Sequence, residues 1–164
     1  MSYLTFLPKT IAHKDMIFKI LVMGLPGSGK TTLSDILSKE LIKRDKTVLR
    51  LNADELRKKY HDWDFTNDGR LRQAQRMFNF CEWENGYSTV RTEDIAVVDF
   101  VAPIPRSRGI FSPDYTVWMN TIDFCRYEDT NKLFLDPIRW DYRIQEFDGL
   151  NKHIHNILTD LQSI

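Results

Sequence analysis

Residues 24–32 read GLPGSGKTT and fit the pattern G-x-x-x-x-G-K-[ST], which cradles the phosphates of a nucleotide. Its glycines can adopt backbone angles closed to other residues, so that successive N–H groups turn inward around a phosphate. Lys30 is then expected to reach the β- and γ-phosphates, and the hydroxyl of Thr31 to bind Mg²⁺. The candidate phosphate-binding residues are Gly24, Leu25, Pro26, Gly27, Ser28, Gly29, Lys30, Thr31 and Thr32.

The elements that must position this loop are recognisable on both sides of it. FKILVM (18–23) is a short apolar run that enters the loop, and apolar residues recur at helical spacing in TTLSDILSKELIKR beyond Lys30. A strand, a loop and a helix in this order are the context that the pattern requires. The alternative is a glycine-rich turn that merely joins a strand to a helix, and the lysine and hydroxyl disfavour it.

The rest of the chain alternates between strand and helix patterns. The predicted strands are KTVLRLN (46–52), DIAVVDFVA (94–102), YTVWMN (115–120) and RWDYRIQ (139–145), and the predicted helices are ADELRKKY (53–60) and residues 68–86, ended at Asn85-Gly86. This order predicts an α/β fold, a doubly wound parallel sheet with flanking helices as in P-loop NTPase kinases. Ligands of such sheets lie at the carboxyl ends of the strands, which places residues 24–32, 52–54 and 99–108 around one crevice.

The composition is that of one ordinary domain. We expect a single domain over residues 1–164, with residues 1–16 as a short leader before the first strand. Basic and acidic residues number 23 each, so the whole chain has no net charge that would favour nucleic acid. No apolar run is long enough to span a membrane. Cys81 and Cys125 are too few and too far apart for a zinc site or a disulfide framework, which favours reduced thiols in the cytoplasm.

A phosphate-binding loop serves switches, motors and kinases, and the other segments favour a kinase. GTPases carry an N-K-x-D motif, whereas the two NK pairs here continue as NKLF and NKHI. Motor ATPases place a catalytic glutamate after the acid that ends a second apolar strand, but here Phe100 follows Asp99. A kinase needs less, namely a phosphate cradle, a magnesium ion, an acceptor site and a closing lid. We therefore predict an ATP- and Mg²⁺-dependent phosphotransferase with an alcohol group as acceptor.

Four segments resemble, in order and spacing, the motifs of adenylyl-sulfate kinases. Beside GLPGSGKTT, LNADELR (51–57) is similar to D-G-D-N-x-R, and FTNDGRLRQAQR (65–76) is similar to F-S-x-x-x-R-x-x-N-x-R-R. DFVAPIPRSR (99–108) resembles A-F-I-S-P-x-R, and EDTNKLF (128–134) resembles the lid segment R-D-x-K-x-L-Y. These enzymes phosphorylate the 3′-hydroxyl of adenosine 5′-phosphosulfate (APS). The resemblance thus implies APS as the acceptor and 3′-phosphoadenosine 5′-phosphosulfate as the product.

The resemblance also implies roles for single residues. Asp54 matches an acidic residue beside the transferred phosphate, where a carboxylate can accept the hydroxyl proton or hold Mg²⁺ through water. Arg57 and Arg70 match arginines that hold the phosphosulfate, and Gln73 stands where the family has an asparagine. The candidate catalytic residues are Lys30 and Asp54, the candidate metal ligand is Thr31, and the candidate acceptor-binding residues are Arg57, Arg70, Gln73, Phe100, Val101 and Ala102.

Other roles stay open for several of these residues. Asp54 could instead cap a helix or be a surface carboxylate, and Arg57 and Arg70 could lie on a solvated helix face. Phe100 and Phe78 are both candidates to stack on an adenine ring, and for Phe78 core packing is the stronger alternative.

Several positions depart from the family pattern. Ala102 stands where the family has a serine, and Asp99 adds a carboxylate next to the expected acceptor site. Glu128 occupies the place of the lid arginine, for which Arg126 could substitute if the lid shifts. An extra acid and a missing lid base predict weaker binding of a doubly anionic acceptor, so a different hydroxyl is left open.

Two further hypotheses follow from other residues. The arginines at 70, 72, 76, 106 and 108 favour a kinase that acts on a nucleic-acid hydroxyl, either a strand end or a modified base. The altered lid favours a nucleotide-binding regulatory protein without turnover. The expected partner is a small-molecule substrate. Nucleic acid is not expected but stays open, a membrane is not expected, and a homodimer is left open.

Overall fold

The computed structural model describes residues 16–84, 86 and 91–164 of the chain. Its five strands are β1 (Phe18–Met23), β2 (Val48–Asn52), β3 (Ile95–Asp99), β4 (Tyr115–Met119) and β5 (Tyr142–Ile144). Its helices are α1 (Lys30–Ile42), α2 (Ala53–Tyr60), α3 (Asn67–Glu82), α4 (Pro105–Phe111), α5 (Glu128–Leu133) and α6 (Leu150–Asp160), followed by a 3-10 turn at Leu161–Ser163. The strands form one parallel sheet in the order β2-β3-β1-β4-β5, which confirms the predicted α/β class.

The two faces of the sheet bury two separate sets of apolar side chains. Along β1, Leu21 and Met23 pack on one face with residues of α2, α3 and α4, whereas Ile20 and Val22 pack on the other with residues of α1 and α6. This alternation follows from the period of two along a strand, and a sheet covered on both faces needs strands that are apolar throughout. The helices thus hold β1 and β3 rigidly at the centre of the molecule.

The register of the central strands determines which residues lie side by side at the carboxyl ends of the strands. Asp99 at the end of β3 lies beside Val22 of β1 on one side and beside Asn52 of β2 on the other. The loop after β1, the start of α2 and the segment after β3 therefore lie together at the carboxyl ends of the strands, as predicted.

Helix α3 ends earlier than the sequence predicts. It stops at Glu82, and Trp83 is already extended with φ −133° and ψ 138°, so the predicted stop at Asn85-Gly86 is wrong. The guanidinium of Arg91 donates hydrogen bonds to the carbonyl oxygens of Phe80 (2.8 Å) and Glu84 (3.1 Å), which satisfies acceptors at the end of the helix. Asn85 lies outside the described residues, as does the predicted leader apart from Met16. No helix among the described residues is long and apolar enough to cross a membrane.

Candidate active site

The loop between β1 and α1 has the backbone geometry that its glycines allow. Gly24, Gly27 and Gly29 have φ values of 148°, 84° and 95°, a region that side chains with a Cβ rarely adopt. A Cβ added at Gly24 would overlap the carbonyl oxygen of Met119, so the loop also approaches β4 too closely for another residue. Gly29 begins helix α1 and no side chain caps it, which leaves N–H groups at the helix start for an anion.

Lys30 lies across this loop as a buried side chain. Its Nζ donates a hydrogen bond to the carbonyl oxygen of Leu25 at 2.8 Å. Burial lowers the pKa of Lys30 to about 8, while the carboxylates of Asp99 and Asp54 act in the opposite direction. The lysine therefore has two acidic neighbours and is held in the loop by the carbonyl group of Leu25.

The carboxylate of Asp99 lies beside Thr31 and is only 2% exposed. Its Oδ2 accepts hydrogen bonds from the Thr31 hydroxyl (2.9 Å) and from the amide of Asn52 (3.0 Å). Its Oδ1 pairs with the guanidinium of Arg50 at 2.5 Å. The sequence placed this extra acid next to the acceptor site, whereas its hydrogen bonds connect it to the phosphate-binding loop.

A cavity of about 1010 Å³ opens above these residues. Its wall includes the loop residues Pro26, Gly27, Gly29, Lys30, Thr31 and Thr32, together with Asp54, Arg57, Arg70, Gln73, Phe100, Val101 and Ala102. All candidate acceptor-binding residues thus line the same cavity as the loop. Gly24, Leu25 and Ser28 are not on its wall and lie buried within the loop.

Asp54 lies on the cavity wall in the first turn of α2 and does not cap that helix. The cap is Asn52, whose Oδ1 accepts a hydrogen bond from the backbone N–H of Glu55 at 3.0 Å. The alternative role of Asp54 as a helix cap is therefore wrong, and its exposed carboxylate faces the space between the loop and the arginines.

Arg57 and Arg70 are buried, with 5% and 7% of their surface exposed, so they do not lie on a solvated helix face. Arg57 donates to the carbonyl oxygens of Asp62 (3.0 Å) and Asp64 (2.9 Å). Arg70 donates to the carbonyl oxygen of Phe65 at 2.8 Å. Both arginines therefore hold the connection between α2 and α3 in place as well as lining the cavity.

A sequence profile of the family described as adenylylsulphate kinase matches residues 16–154 of the chain. The chain belongs to the adenylylsulphate kinase family. Membership makes it an ATP-dependent kinase whose acceptor is a hydroxyl group, on a P-loop fold. Comparison with curated proteins gave no match.

Solved structures with the same fold include kinases of different acceptors. The APS kinase of Mycobacterium tuberculosis in complex with AMPPNP and APS has a TM-score of 0.71 and 15% identity, over 90% of this chain and 98% of that one. A gluconokinase from Sinorhizobium meliloti has a TM-score of 0.61 and 15% identity, over 92% and 94% of the two chains. Shikimate kinase from Acinetobacter baumannii in complex with shikimate has a TM-score of 0.58 and 16% identity, over 90% of this chain and 94% of that one. At these identities the likeness shows the fold alone.

In this adenylylsulphate kinase family member, Phe65 is a cavity residue that the sequence analysis missed. Its ring is 47% exposed, and its centroid lies 4.5 Å from the guanidinium carbon of Arg57 and 5.6 Å from that of Arg70. Phe65 is the first residue of the segment FTNDGR, and its match to the first position of the family motif could have identified it. Phe78 packs against the core, as the stronger of its two predicted roles requires, with the Lys19 ammonium 5.4 Å from its ring centroid.

The other acceptor candidates form the floor of the cavity. Gln73 is buried and donates from Nε2 to the carbonyl oxygen of Ala53 at 3.0 Å. Phe100 packs edge to face on Phe111, with ring centroids 5.5 Å apart. Ala102, next to Val101 on the wall, has φ +45°, which an alanine adopts at a cost of about 1–2 kcal/mol. Such strain is common at functional sites.

The segment that resembles the lid (128–134) contributes Asp129 and Thr130 to the cavity wall, and the two residues before it contribute Arg126 and Tyr127. Arg70 reaches this segment, since its Nη2 lies 3.1 Å from the Thr130 hydroxyl and 3.4 Å from a carboxylate oxygen of Asp129. Glu128 does not line the cavity and pairs with Lys132 on the surface at 2.7 Å. Arg126, rather than residue 128, thus lies on the cavity wall.

Phe147 is a second aromatic residue that the sequence analysis missed. It lies between β5 and α6, lines the cavity and packs over the loop so closely that a Cβ on Gly29 would overlap its ring. No sequence motif marked it, because its position depends on a contact between residues more than a hundred positions apart.

Three other arginines of the basic cluster, Arg72, Arg76 and Arg108, are engaged within the protein. Arg72 binds the carboxylate of Asp62 with two hydrogen bonds of 2.9 Å, and Arg76 binds it at 2.8 Å. These hydrogen bonds hold the pKa of Asp62 well below its usual range. Arg108 donates to the carbonyl oxygens of Ala102 and Pro103. These three guanidinium groups therefore make contacts within the protein.

The donors around the loop fit Mg²⁺, which prefers oxygen ligands and keeps several waters. Among the described residues, no group of three or more His, Cys, Asp or Glu side chains is placed to hold a metal ion alone. The Thr31 hydroxyl lies on the cavity wall at the start of α1. Magnesium in this site would therefore share its coordination between the protein and the phosphates of a nucleotide.

Proposed function

We propose that this protein transfers the γ-phosphate of ATP to the 3′-hydroxyl of APS, which gives 3′-phosphoadenosine 5′-phosphosulfate and ADP. One observation carries the proposal. This chain belongs to the family, and its Arg57 and Arg70, with the ring of Phe65 against both, line the same cavity as its phosphate-binding loop.

The acceptor half of the cavity suits a molecule with adjacent anionic groups and a planar ring. Guanidinium groups bind phosphate and sulfate oxygens through charged, directional hydrogen bonds, and buried arginines remain charged. A half-exposed phenylalanine ring offers a face on which a purine can stack. Phosphosulfate held by the arginines would thus leave the nucleoside against Phe65, with its ribose towards the loop.

The proposed transfer uses two side chains on either side of the reacting atoms. The acceptor hydroxyl oxygen forms a bond to the γ-phosphorus while the bond to the oxygen between the β- and γ-phosphorus breaks, and ADP leaves. Asp54 accepts the hydroxyl proton, and Lys30 interacts with the charged oxygens of the transferring group. Thr31 holds Mg²⁺, which neutralises charge on the phosphate oxygens when it is bound.

The lid segment would exclude water during transfer, because a water molecule in the acceptor position would hydrolyse ATP. Arg70 couples this segment to the acceptor half through its contacts with Asp129 and Thr130. Binding of an anion by Arg70 competes with Asp129 for the same guanidinium, so we propose that the acceptor itself adjusts the lid.

A comparison of acceptors with the wild-type protein tests the proposal. γ-Labelled ATP is incubated with APS, adenosine 5′-phosphate, shikimate, gluconate or single-stranded DNA, and products are separated by chromatography. We expect transfer to APS with the highest kcat/KM. Adenosine 5′-phosphate tests whether the sulfate is needed. Transfer to another acceptor but not to APS would retain the kinase and overturn the assigned substrate.

A further inference from the structure

A network of side chains lies behind one acceptor candidate on the cavity wall, the buried Gln73. Its Oε1 accepts a hydrogen bond of 2.6 Å from Nη1 of Arg76. Its Nε2 donates to the carbonyl oxygen of Ala53 at 3.0 Å and lies 3.7 Å from the sulfur of Met77. The oxygen of the amide is thus engaged within the protein. Its nitrogen has one strong and one weak acceptor, because a thioether sulfur accepts hydrogen bonds poorly.

Arg76 is itself held on its other side. Its Nη2 donates to Oδ2 of Asp62 at 2.8 Å, and its guanidinium carbon lies 4.6 Å from the ring centroid of Tyr60. A planar guanidinium with partners on two sides has little freedom to turn. Arg76 is not one of the described residues that line the cavity. It can therefore act on a bound ligand only through the amide of Gln73.

We propose that Arg76, held by Asp62, orients the Gln73 amide so that a bound acceptor meets an N–H donor at this part of the wall. The ligand atom that fits this donor carries a lone pair, as do a sugar oxygen, a ring nitrogen and an oxygen of a phosphate or sulfate group. Such an atom is a better acceptor than the sulfur of Met77 and replaces it. Arg76 is then a positioning residue for acceptor binding. The inference rests on the proposed function only in that a hydroxyl-bearing acceptor enters this half of the cavity.

The orientation of this amide matters because its two ends have opposite hydrogen-bonding character. A turned Gln73 would place its NH₂ group against the guanidinium of Arg76, so that two donors would face each other. It would also direct its oxygen at the carbonyl oxygen of Ala53, and both groups would lose a hydrogen bond in a buried place. Arg76 therefore excludes the turned state. Without Arg76, the amide oxygen could face an anionic ligand, which it would repel.

A double-mutant cycle tests whether Arg76 acts through Gln73. Wild type, Arg76→Met, Gln73→Met and the double variant are compared by their kcat and KM for APS at saturating ATP. If APS gives no product, the cycle uses whichever acceptor of the comparison above does. Arg72→Met is the matched control. Arg72 binds the same carboxylate of Asp62 and has the same charge, but among the described residues it has no hydrogen bond to Gln73.

We expect Arg76→Met and Gln73→Met each to raise the KM for the acceptor about five- to tenfold, as loss of one directed hydrogen bond does. The kcat and the KM for ATP should stay within a small factor of wild type. The double variant should resemble the single variants, since Arg76 then has no amide to orient, and Arg72→Met should match wild type. Losses that multiply in the double variant, or an equal loss in Arg72→Met, would overturn the inference, because Arg76 would then act through the connection between α2 and α3.

Hydrogen exchange of the Gln73 side-chain amide, followed by ¹⁵N NMR without any ligand, separates this inference from the substrate assignment. The signals of the two amide protons are identified by their absence in Gln73→Met. These protons should exchange about tenfold faster in Arg76→Met than in wild type, and at the wild-type rate in Arg72→Met. Unchanged exchange in Arg76→Met would overturn the inference, whichever acceptor the protein uses.

If Arg76→Met does not fold, Arg76→Lys retains the charge but lacks the planar group that joins Asp62 to Gln73. It should also raise the KM for the acceptor and speed the exchange of the amide protons, and wild-type values for both would count against the inference. Faster amide exchange without phosphate transfer to any tested acceptor would support the orienting role of Arg76 and overturn the proposed function alone.

Discussion

The two halves of the cavity are built in different ways. The half that we propose for the nucleotide is a single stretch of nine residues whose backbone is shaped by glycines with positive φ, and the groups that it offers an anion are mainly N–H groups. The acceptor half consists of side chains from α2, α3 and the lid, and Arg57 and Arg70 also hold the backbone there. Changes in the nucleotide half should therefore affect chemistry alone, whereas changes in the acceptor half should affect binding and local order together.

Replacement of the loop lysine tests the nucleotide half and should have the largest effect. Lys30→Ala removes the positive charge from the transferring phosphate, and we expect kcat to fall by about a thousandfold, since such groups are worth several kcal/mol. Circular dichroism should show an intact fold. The matched control is Lys39→Ala, an exposed lysine on the same helix, which should keep wild-type turnover. A folded Lys30→Ala with near-normal turnover would remove the loop from catalysis.

Asp54 lies between the two halves, and its replacement should affect the rate alone. For Asp54→Asn we expect kcat to fall by about a hundredfold while ATP affinity stays within a small factor, because general bases contribute on that order. Glu55→Gln is the control, since Glu55 is the next residue and does not line the cavity. A normal kcat with Asp54→Asn would mean that another group accepts the proton.

The arginines test whether the acceptor half serves binding. Arg57→Ala or Arg70→Ala should each cost about 1.5 to 3 kcal/mol, seen as a ten- to hundredfold loss in kcat/KM for the acceptor. The KM for ATP should change much less. Arg72→Ala is the matched control, an exposed arginine that binds Asp62 outside the cavity. Equal losses for ATP and acceptor would show that these arginines support the whole site rather than the acceptor.

The loss of local order in these variants can be separated from the loss of charge. Arg70→Lys retains a cation but cannot reproduce the guanidinium contacts with Phe65 and Thr130. If Arg70→Lys binds the acceptor as well as wild type, the charge of residue 70 is sufficient for binding. If it does not, binding also needs the planar guanidinium group and the ordered connection between α2 and α3. Hydrogen exchange of residues 61–66 reports that order directly.

The sequence predicted more of the nucleotide half than of the acceptor half. The reason is that the first is one contiguous segment, whereas the second is assembled from several segments. Residues 24–32 are contiguous, so their pattern alone predicted the loop, and the alternation of strands and helices predicted the parallel sheet. The candidates at 54, 57, 70, 73 and 100–102 lie on the cavity wall. The strand ends placed 54 and 100–102 near the crevice, whereas only family resemblance pointed to 57, 70 and 73. Their catalytic and binding roles stay predictions, as do the single domain over 1–164, the homodimer and the cytoplasm.

What the sequence missed depends on contacts between distant segments. Phe147 reaches Gly29, Arg91 donates to a carbonyl oxygen in the last turn of helix α3, and Arg50 pairs with Asp99 on the next strand. None of these contacts has a local pattern, because each residue is an ordinary aromatic or basic side chain in its own segment. Tertiary packing alone decides which partner it meets.

The smallest expected effect is a pH dependence of the free energy of unfolding. It arises from Lys30 in the nucleotide half. Burial gives Lys30 a pKa of about 8 in the folded protein, below its value of 10.5 in the unfolded chain. Between these values the unfolded state binds more protons, so the free energy of unfolding should rise with pH across this window. The rise should be about 1 to 3 kcal/mol and absent in Lys30→Met, measured by denaturant unfolding from pH 7 to pH 10. An identical pH dependence of the unfolding free energy in wild type and Lys30→Met would contradict the lowered pKa of Lys30.

Activity should respond to the same titration in the opposite direction. The charged form of Lys30 is lost above about pH 8, so kcat/KM for ATP should fall there. Saturation with acceptor should not prevent the fall, because Lys30 lies in the phosphate-binding loop and not among the acceptor-binding candidates.

The most direct test of the account follows the labelled phosphate in the wild-type protein. γ-Labelled ATP, Mg²⁺ and APS are mixed with the protein, and the label is quantified in 3′-phosphoadenosine 5′-phosphosulfate, in inorganic phosphate and in remaining ATP. The account predicts that most consumed label appears on the 3′-hydroxyl of the acceptor and that omission of APS nearly stops consumption. Label that appears only as inorganic phosphate, at the same rate with and without APS, would contradict it.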